Sequence, residues 1–186
     1  MYLLFFSLSI WVSCSEKKND STYYKFDKYP RIEFNENLKL LIEGELCDFD
    51  FSNLTFLNKA KIISIVDGFC MKCVINEINQ RDILLQEITK NDSLGQVIFI
   101  MNVSKEGSVM FLKHFEPLIN VKGLILWDDE YNFENKNNLL TSDKKLRTFL
   151  IDHNNQIKIM GDPIYNTDLI KEYKMILQEI NLSYYN

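Results

Sequence analysis

Residues 67–73 read D-G-F-C-M-K-C and directly follow the apolar run K-I-I-S-I-V. Two cysteines with two residues between them can form a thiol–disulfide couple, half of a metal site, or a structural disulfide. The remaining cysteines, Cys14 and Cys47, are far apart, so a four-cysteine zinc site lacks its second close pair. Val74 rather than a histidine stands directly after Cys73, which excludes c-type haem attachment. A thiol–disulfide couple is the simplest reading of Cys70 and Cys73.

Such a couple needs a nucleophilic thiolate and a second thiol to resolve the mixed disulfide. If a helix opens at Cys70, its free N–H groups and dipole favour the thiolate there. Lys72 adds a cation between the two sulfurs. Cys73 follows nearly one helical turn later and is expected to be the more buried thiol, the resolving one. Gly68 is expected to let the backbone turn sharply out of the preceding run. Asp67 is a candidate proton acceptor, with a solvated loop residue as the plainer alternative.

These roles require a strand that ends near Asp67 and a helix that begins near Met71. Lys61 to Val66 is a short β-branched run, as expected of a buried central strand. From Met71 the period changes. Met71, Val74, Ile75, Ile78, Leu85 and Ile88 recur at helical spacing, with only the Arg81-Asp82 step out of phase. Asn91-Asp92-Ser93 and Gly95 end that helix.

Elsewhere, residues 32–43 read as one or two early strands and Val97 to Met101 as a second buried strand. Ser104 to Phe115 reads as a helix stopped before Pro117, and Val121 to Trp127 as a third strand. An Asn-rich segment, N-F-E-N-K-N-N, reads as a loop. Thr148 to Asp152 and Gln156 to Met160 form a hairpin around His153-Asn154-Asn155. A last helix runs from Thr167 to Ile180, with Leu169, Ile170, Tyr173, Leu177 and Ile180 on one face.

A length of 186 residues allows one domain plus tails. The net charge of −5 comes without a basic block, so no nucleic-acid footprint is present. Tyr2 to Val12 is almost unbroken apolar sequence, too short to span a bilayer as a free helix but suited to a signal-peptide core. The W-V-S-C that closes it resembles a bacterial lipobox, with Trp11 where an aliphatic residue is usual. That resemblance implies a signal peptide over 1–13, a lipid on Cys14, a tether over 14–30 and a domain over 31–186. The domain would then be held to the membrane through the lipid, in the envelope and facing the periplasm, where disulfides persist. An ordinary cleaved signal peptide is the alternative.

The order β-α-β-α, hairpin, helix is the plan of a thioredoxin-like α/β fold, a central mixed sheet flanked by helices, here with an N-terminal strand extension. The stretch T-F-L-I-D-H-N-N-Q-I-K-I-M-G is similar to the hairpin T-F-L-I-D-x-x-G-x-I of membrane-anchored thioredoxin-like oxidoreductases. D-G-F-C-M-K-C resembles the D-G-x-C-x-x-C of Bacteroidetes-type lipoproteins of that superfamily. The resemblance covers roughly residues 36–182. It implies thiol–disulfide exchange by Cys70 and Cys73 on envelope protein disulfides, with no cofactor and no metal.

In those proteins a cis-proline precedes the hairpin strand, as P-T-T-F. The matching residues here are Leu146-Arg147-Thr148-Phe149, and the prolines are Pro30, Pro117 and Pro163. A non-proline cis bond costs about 2.5–4 kcal/mol, so the 145–146 bond is expected to be trans. That departure favours the runner-up, a non-catalytic binding or assembly lipoprotein whose cysteines form a structural disulfide.

Other candidates are weaker. His114 and His153, the only histidines, are expected to be solvated, although a copper-delivery site would recruit one of them with the cysteine pair. The P-x-x-x-T-x-x-C setting of a peroxidatic cysteine is absent. Cys47 is a third redox partner or, more commonly for a lone cysteine, a buried thiol. Trp127-Asp128-Asp129 is expected to be core followed by a solvated turn.

Overall fold

The computed structural model describes residues 24–25, 30–68, 71–141 and 143–184. The expected leader and lipidation site fall outside them. Two residues of the expected tether, Tyr24–Lys25, form a short strand β1.

The remaining strands are β2 (Lys39–Ile42), β3 (Glu45–Asp48), β4 (Lys61–Asp67), β5 (Gln96–Asn102), β6 (Leu124–Asp128), β7 (Thr148–Ile151) and β8 (Ile157–Met160). They form one sheet in the order β1-β8-β7-β4-β5-β6-β2-β3. β4, β5 and β6 run parallel, and every other pairing is antiparallel. The helices are α1 (Leu54–Leu57), α2 (Met71–Thr89), α3 (Lys105–His114), α4 (Asn132–Lys136) and α5 (Thr167–Tyr184). Among the described residues no helix is long and apolar enough to cross a membrane.

The β-branched run makes β4 the central strand because apolar side chains on both of its faces find cover. Ile62 and Val66 pack with Val74, Ile78 and Leu85 of α2 and with Leu169, Tyr173 and Leu177 of α5. Ile63 and Ile65 face the other way, onto Ile32, Phe56 and Phe133. The hairpin β7–β8 and the apolar face of α5 form as their patterns require. α3 is capped by Ser104, whose side chain accepts from the Gly107 N–H.

Several elements differ from expectation, each for a local reason. The Arg81-Asp82 step is no phase error, since the two side chains are 1% and 4% exposed. Arg81 donates to Asp162 Oδ2 at 2.5 Å and to Ser64 Oγ at 3.3 Å, and pairs with Glu77 at 3.0 Å. Asp82 accepts the backbone N–H of Lys122 at 2.9 Å and of Gly123 at 3.0 Å. Those two residues are therefore held outside the ladder, and β6 begins at Leu124 rather than Val121.

The Asn-rich segment contains α4 rather than a loop alone. Asp128 is buried, not solvated, and its carboxylate accepts the N–H groups of Asn132 at 3.0 Å and Phe133 at 2.8 Å. That satisfies donors the first turn leaves open. Phe133 then anchors the turn in the core. β3 lies beyond the expected early strands. Glu43 (φ 49°) and Gly44 (φ 81°) make the two-residue turn that joins it to β2. Cys47, on this outermost strand, is exposed and free, not buried.

Candidate functional site

β4, β5 and β6 end side by side, with Asp67 opposite Asn102 and Asn102 opposite Asp128. Ligand and reaction sites of open α/β sheets form at such carboxyl ends. Gly68 follows, and its N–H donates to Asn102 O at 2.7 Å. A Cβ at residue 68 would stand 2.5 Å from both Asn102 O and Val103 Cγ2. Close approach to β5 therefore demands the glycine. A positive φ does not, since Gly68 is not among the positive-φ glycines.

Cys70 falls outside the described residues. α2 begins at Met71 and carries Lys72 and Cys73 in its first turn, both exposed. Cys73 is disulfide-bonded. Its exposure corrects the expectation of a buried thiol, because the first turn of α2 stands above the sheet edge and the helix becomes core only from Val74. Cys47 sits elsewhere. The register Cys47–Leu40–Leu126–Ile100–Ile65 puts four strand spacings, about 19 Å, between it and β4.

Asp67 is a half-buried, partnered carboxylate rather than a solvated loop residue. Tyr131 Oη donates to its Oδ1 at 3.3 Å, and Arg147 Nη1 lies 3.6 Å from its Oδ2. Arg147 also donates to Thr141 O through Nε at 3.3 Å and Nη2 at 3.1 Å. Its carbonyl accepts the Ile65 N–H at 2.8 Å, which ties the loop to β4. No peptide bond among the described residues is cis, as expected for the 145–146 bond. Leu146 closes a 3-10 turn over Lys144–Leu146, and its N–H donates to Asp143 O at 3.0 Å. A proline at residue 146 would remove that donor and push Lys145 out of the helical region.

Behind Asp67 lies a buried acid. Glu134 is 0% exposed and receives the Asn102 Nδ2–H at 2.5 Å. Burial pushes its carboxyl up, Arg147 and Asn102 oppose the shift, and Asp67 and Asp128 add to it. Glu134 Oε1 and Asn102 Oδ1 are both buried without a hydrogen-bond partner. Burial and Asp67 likewise raise the Tyr131 phenol. Tyr131 holds a left-handed backbone, φ 54°, a conformation that costs a side-chain-bearing residue about 1–2 kcal/mol.

Asn102, Tyr131 and Glu134 escaped the sequence reading. The first ends an apolar run, and the other two lie in or beside a segment whose composition suggests a loop. His114 is exposed at the end of α3, and His153 lies in the β7–β8 turn at the opposite end of the sheet. Among the described residues no three His, Cys, Asp or Glu side chains gather as metal ligands.

No protein-family model and no curated protein matches the sequence. Solved structures do match. A secreted thiol-disulfide isomerase from Corynebacterium glutamicum aligns at a TM-score of 0.54 and 12% identity over 87% of this chain and 95% of its own. A DsbF homologue from Corynebacterium diphtheriae gives 0.52 and 16% over 83% and 92%. The mitochondrial 2-cys peroxiredoxin from Plasmodium falciparum gives 0.52 and 16% over 81% and 94%. With its mixed sheet, its helix rising from the central strand and its closing hairpin and helix, the chain has a thioredoxin-like fold.

Proposed function

We propose that this protein is an envelope thiol–disulfide oxidoreductase in which Cys70 and Cys73 form the exchanging pair and protein disulfides are the substrates. One observation carries the reading: Cys73 is disulfide-bonded and solvent-exposed in the first turn of the helix that leaves the central strand. The fold is shared with a secreted thiol-disulfide isomerase and a DsbF homologue. That likeness supports both the redox class and an exported location.

In the reduced protein the Cys70 thiolate attacks one sulfur of a substrate disulfide, and the other substrate sulfur leaves and takes up a proton. Cys73, deprotonated, then attacks Cys70 Sγ, and the second substrate thiol departs. Two electrons have passed to the substrate, and Cys70 and Cys73 are joined. The same steps in reverse oxidise a substrate dithiol. Cys70 takes the attacking role because it precedes the first turn, with Lys72 as a nearby cation. Asp67, held by Tyr131 and Arg147, is the candidate acceptor of the Cys73 proton. Gly68 lets the β4–α2 connection lie against β5, and Leu146 and Arg147 present the facing loop. Cys14 would carry the lipid, with residues 1–13 as leader, 14–30 as tether and 31–186 as the working domain.

The turn at Leu146, in place of a proline, favours the second reading, a binding protein with a structural disulfide. Trapping separates them. Cys73→Ser, which leaves Cys70 without its resolving partner, is expected to accumulate reductant-sensitive adducts with envelope proteins, while Cys70→Ser accumulates at least tenfold fewer. Equal or absent trapping by both variants supports the binding protein.

A further inference from the structure

Next to α2 lies a small cleft of about 20 Å³ lined by Ile65, Asp67, Glu77, Arg81, Lys144 and Arg147. Glu77 is four residues after Cys73, so the two share one stripe of α2 and the cleft lies one helical turn from the disulfide. Most of its charges are paired: Asp67 with Arg147 at 3.6 Å, and Arg81 with both Glu77 at 3.0 Å and Asp162 at 2.5 Å. Lys144 makes no ion pair among the described residues, and Arg81 Nε is buried with no hydrogen-bond partner.

The cations continue outward. Residues 144–147 read K-K-L-R, and Lys144 and Lys145 are both exposed. The loop is fixed in place, because Arg147 O accepts from Ile65 N at 2.8 Å and Lys145 O accepts from Asp162 N at 2.7 Å. Asp143, exposed on the same loop, accepts the Lys145 N–H at 2.9 Å and forms no ion pair with Lys144 or Lys145. In a chain of net charge −5, Lys72 is exposed on the first turn of α2 and Lys144 lines the cleft beside Glu77 of the same helix.

We propose that this loop selects acidic substrates: polypeptide disulfides with Asp or Glu beside the cysteine, whose carboxylates meet Lys144 and Lys145 as the sulfur reaches the pair. The proposal rests on the exchange reading and names its substrate class. A carboxylate held by two lysines at the mouth of a partly enclosed cleft would be attracted during approach as well as on contact, so the effect belongs mainly to the association rate.

The test uses the full chain, reduced, and two disulfide-bridged peptides of equal length, one flanked by glutamates and one by lysines. At low ionic strength the Glu peptide should exchange about tenfold faster. The ratio should fall toward one at about 1 M salt, where screening reaches about 3 Å. The double variant Lys144→Glu, Lys145→Glu should reverse the preference. Both side chains are exposed, and circular dichroism checks that the fold survives. Should that variant fail to fold, the salt dependence of the wild-type ratio decides alone. Equal rates for the two peptides with the wild type overturn the acidic preference and leave the exchange reading standing. No exchange with either peptide removes both.

Discussion

Replacing Arg81 with alanine should lower the free energy of unfolding by about 3–5 kcal/mol, because it strands a buried charge. Arg81 and Asp162 have side chains 1% and 0% exposed, joined at 2.5 Å. Arg81 also serves Ser64 and Glu77, so one guanidinium joins α2, β4 and the segment after β8. Burial pushes the Asp162 carboxyl up, and Arg81 is the main force holding it down. With the arginine gone, the ionised carboxylate is unfavourable at neutral pH, and protonation on mild acidification relieves it. The deficit should therefore shrink as pH falls. Urea denaturation of both proteins at pH 7 and pH 5 checks the size and the trend. The pair Arg81→Met with Asp162→Leu should recover much of the loss, since well-packed apolar replacements of buried ion pairs are often neutral.

Lys61→Met should act in the opposite direction and stabilise the protein at pH 7. Lys61 is 0% exposed at the start of β4, donating to Lys59 O at 2.8 Å and standing 4.7 Å from the centre of the Phe56 ring. Burial lowers its pKa from 10.5 to about 8, against the opposing attraction of Asp152. Below pH 8 the lysine is charged in both states, and the folded state carries the full burial cost. Between pH 8 and 10.5 the folded state has released a proton that the unfolded chain still holds, so unfolding becomes harder as pH rises. The full swing is about 3 kcal/mol. The methionine variant lacks this term. Its advantage should approach about 2 kcal/mol at pH 7, after loss of the Lys59 hydrogen bond, and decline through that window. A difference that stays flat from pH 7 to 10.5 would contradict the buried-charge cost.

Both residues show where a linear reading of the sequence stops. The β-branched run, the helical spacing after Met71, the hairpin and the apolar face of α5 are local patterns, and the fold follows them. Arg81 looked like an interruption because its partner Asp162 is 81 residues away, and periodicity carries no information about distant charge. α4 was illegible because the carboxylate that satisfies its first N–H groups, Asp128, closes the preceding strand and its apolar anchor is the single residue Phe133. At the site, the motif announced Asp67, Gly68 and Cys73 through spacing alone, although the reason for Gly68 and the exposure of Cys73 depend on where α2 meets β5. Leu146 and Arg147 were located by resemblance, but the 3-10 turn that holds them follows from the Asp143 contacts. Asn102 ends β5, whereas Tyr131 and Glu134 lie at the start and in the first turn of α4, and the two elements converge only after folding.

The most direct measurement is a redox titration of the full chain against glutathione buffers, with alkylation and mass spectrometry of Cys70 and Cys73 at each potential. An exchanging pair should titrate as one two-electron couple at a potential above about −300 mV, the level below which structural disulfides of secreted proteins typically lie. Both thiols should become alkylated together on reduction, with the fold retained. A Cys73 bond that resists reduction below about −300 mV, or that breaks only as the protein unfolds, would contradict thiol–disulfide exchange as the function.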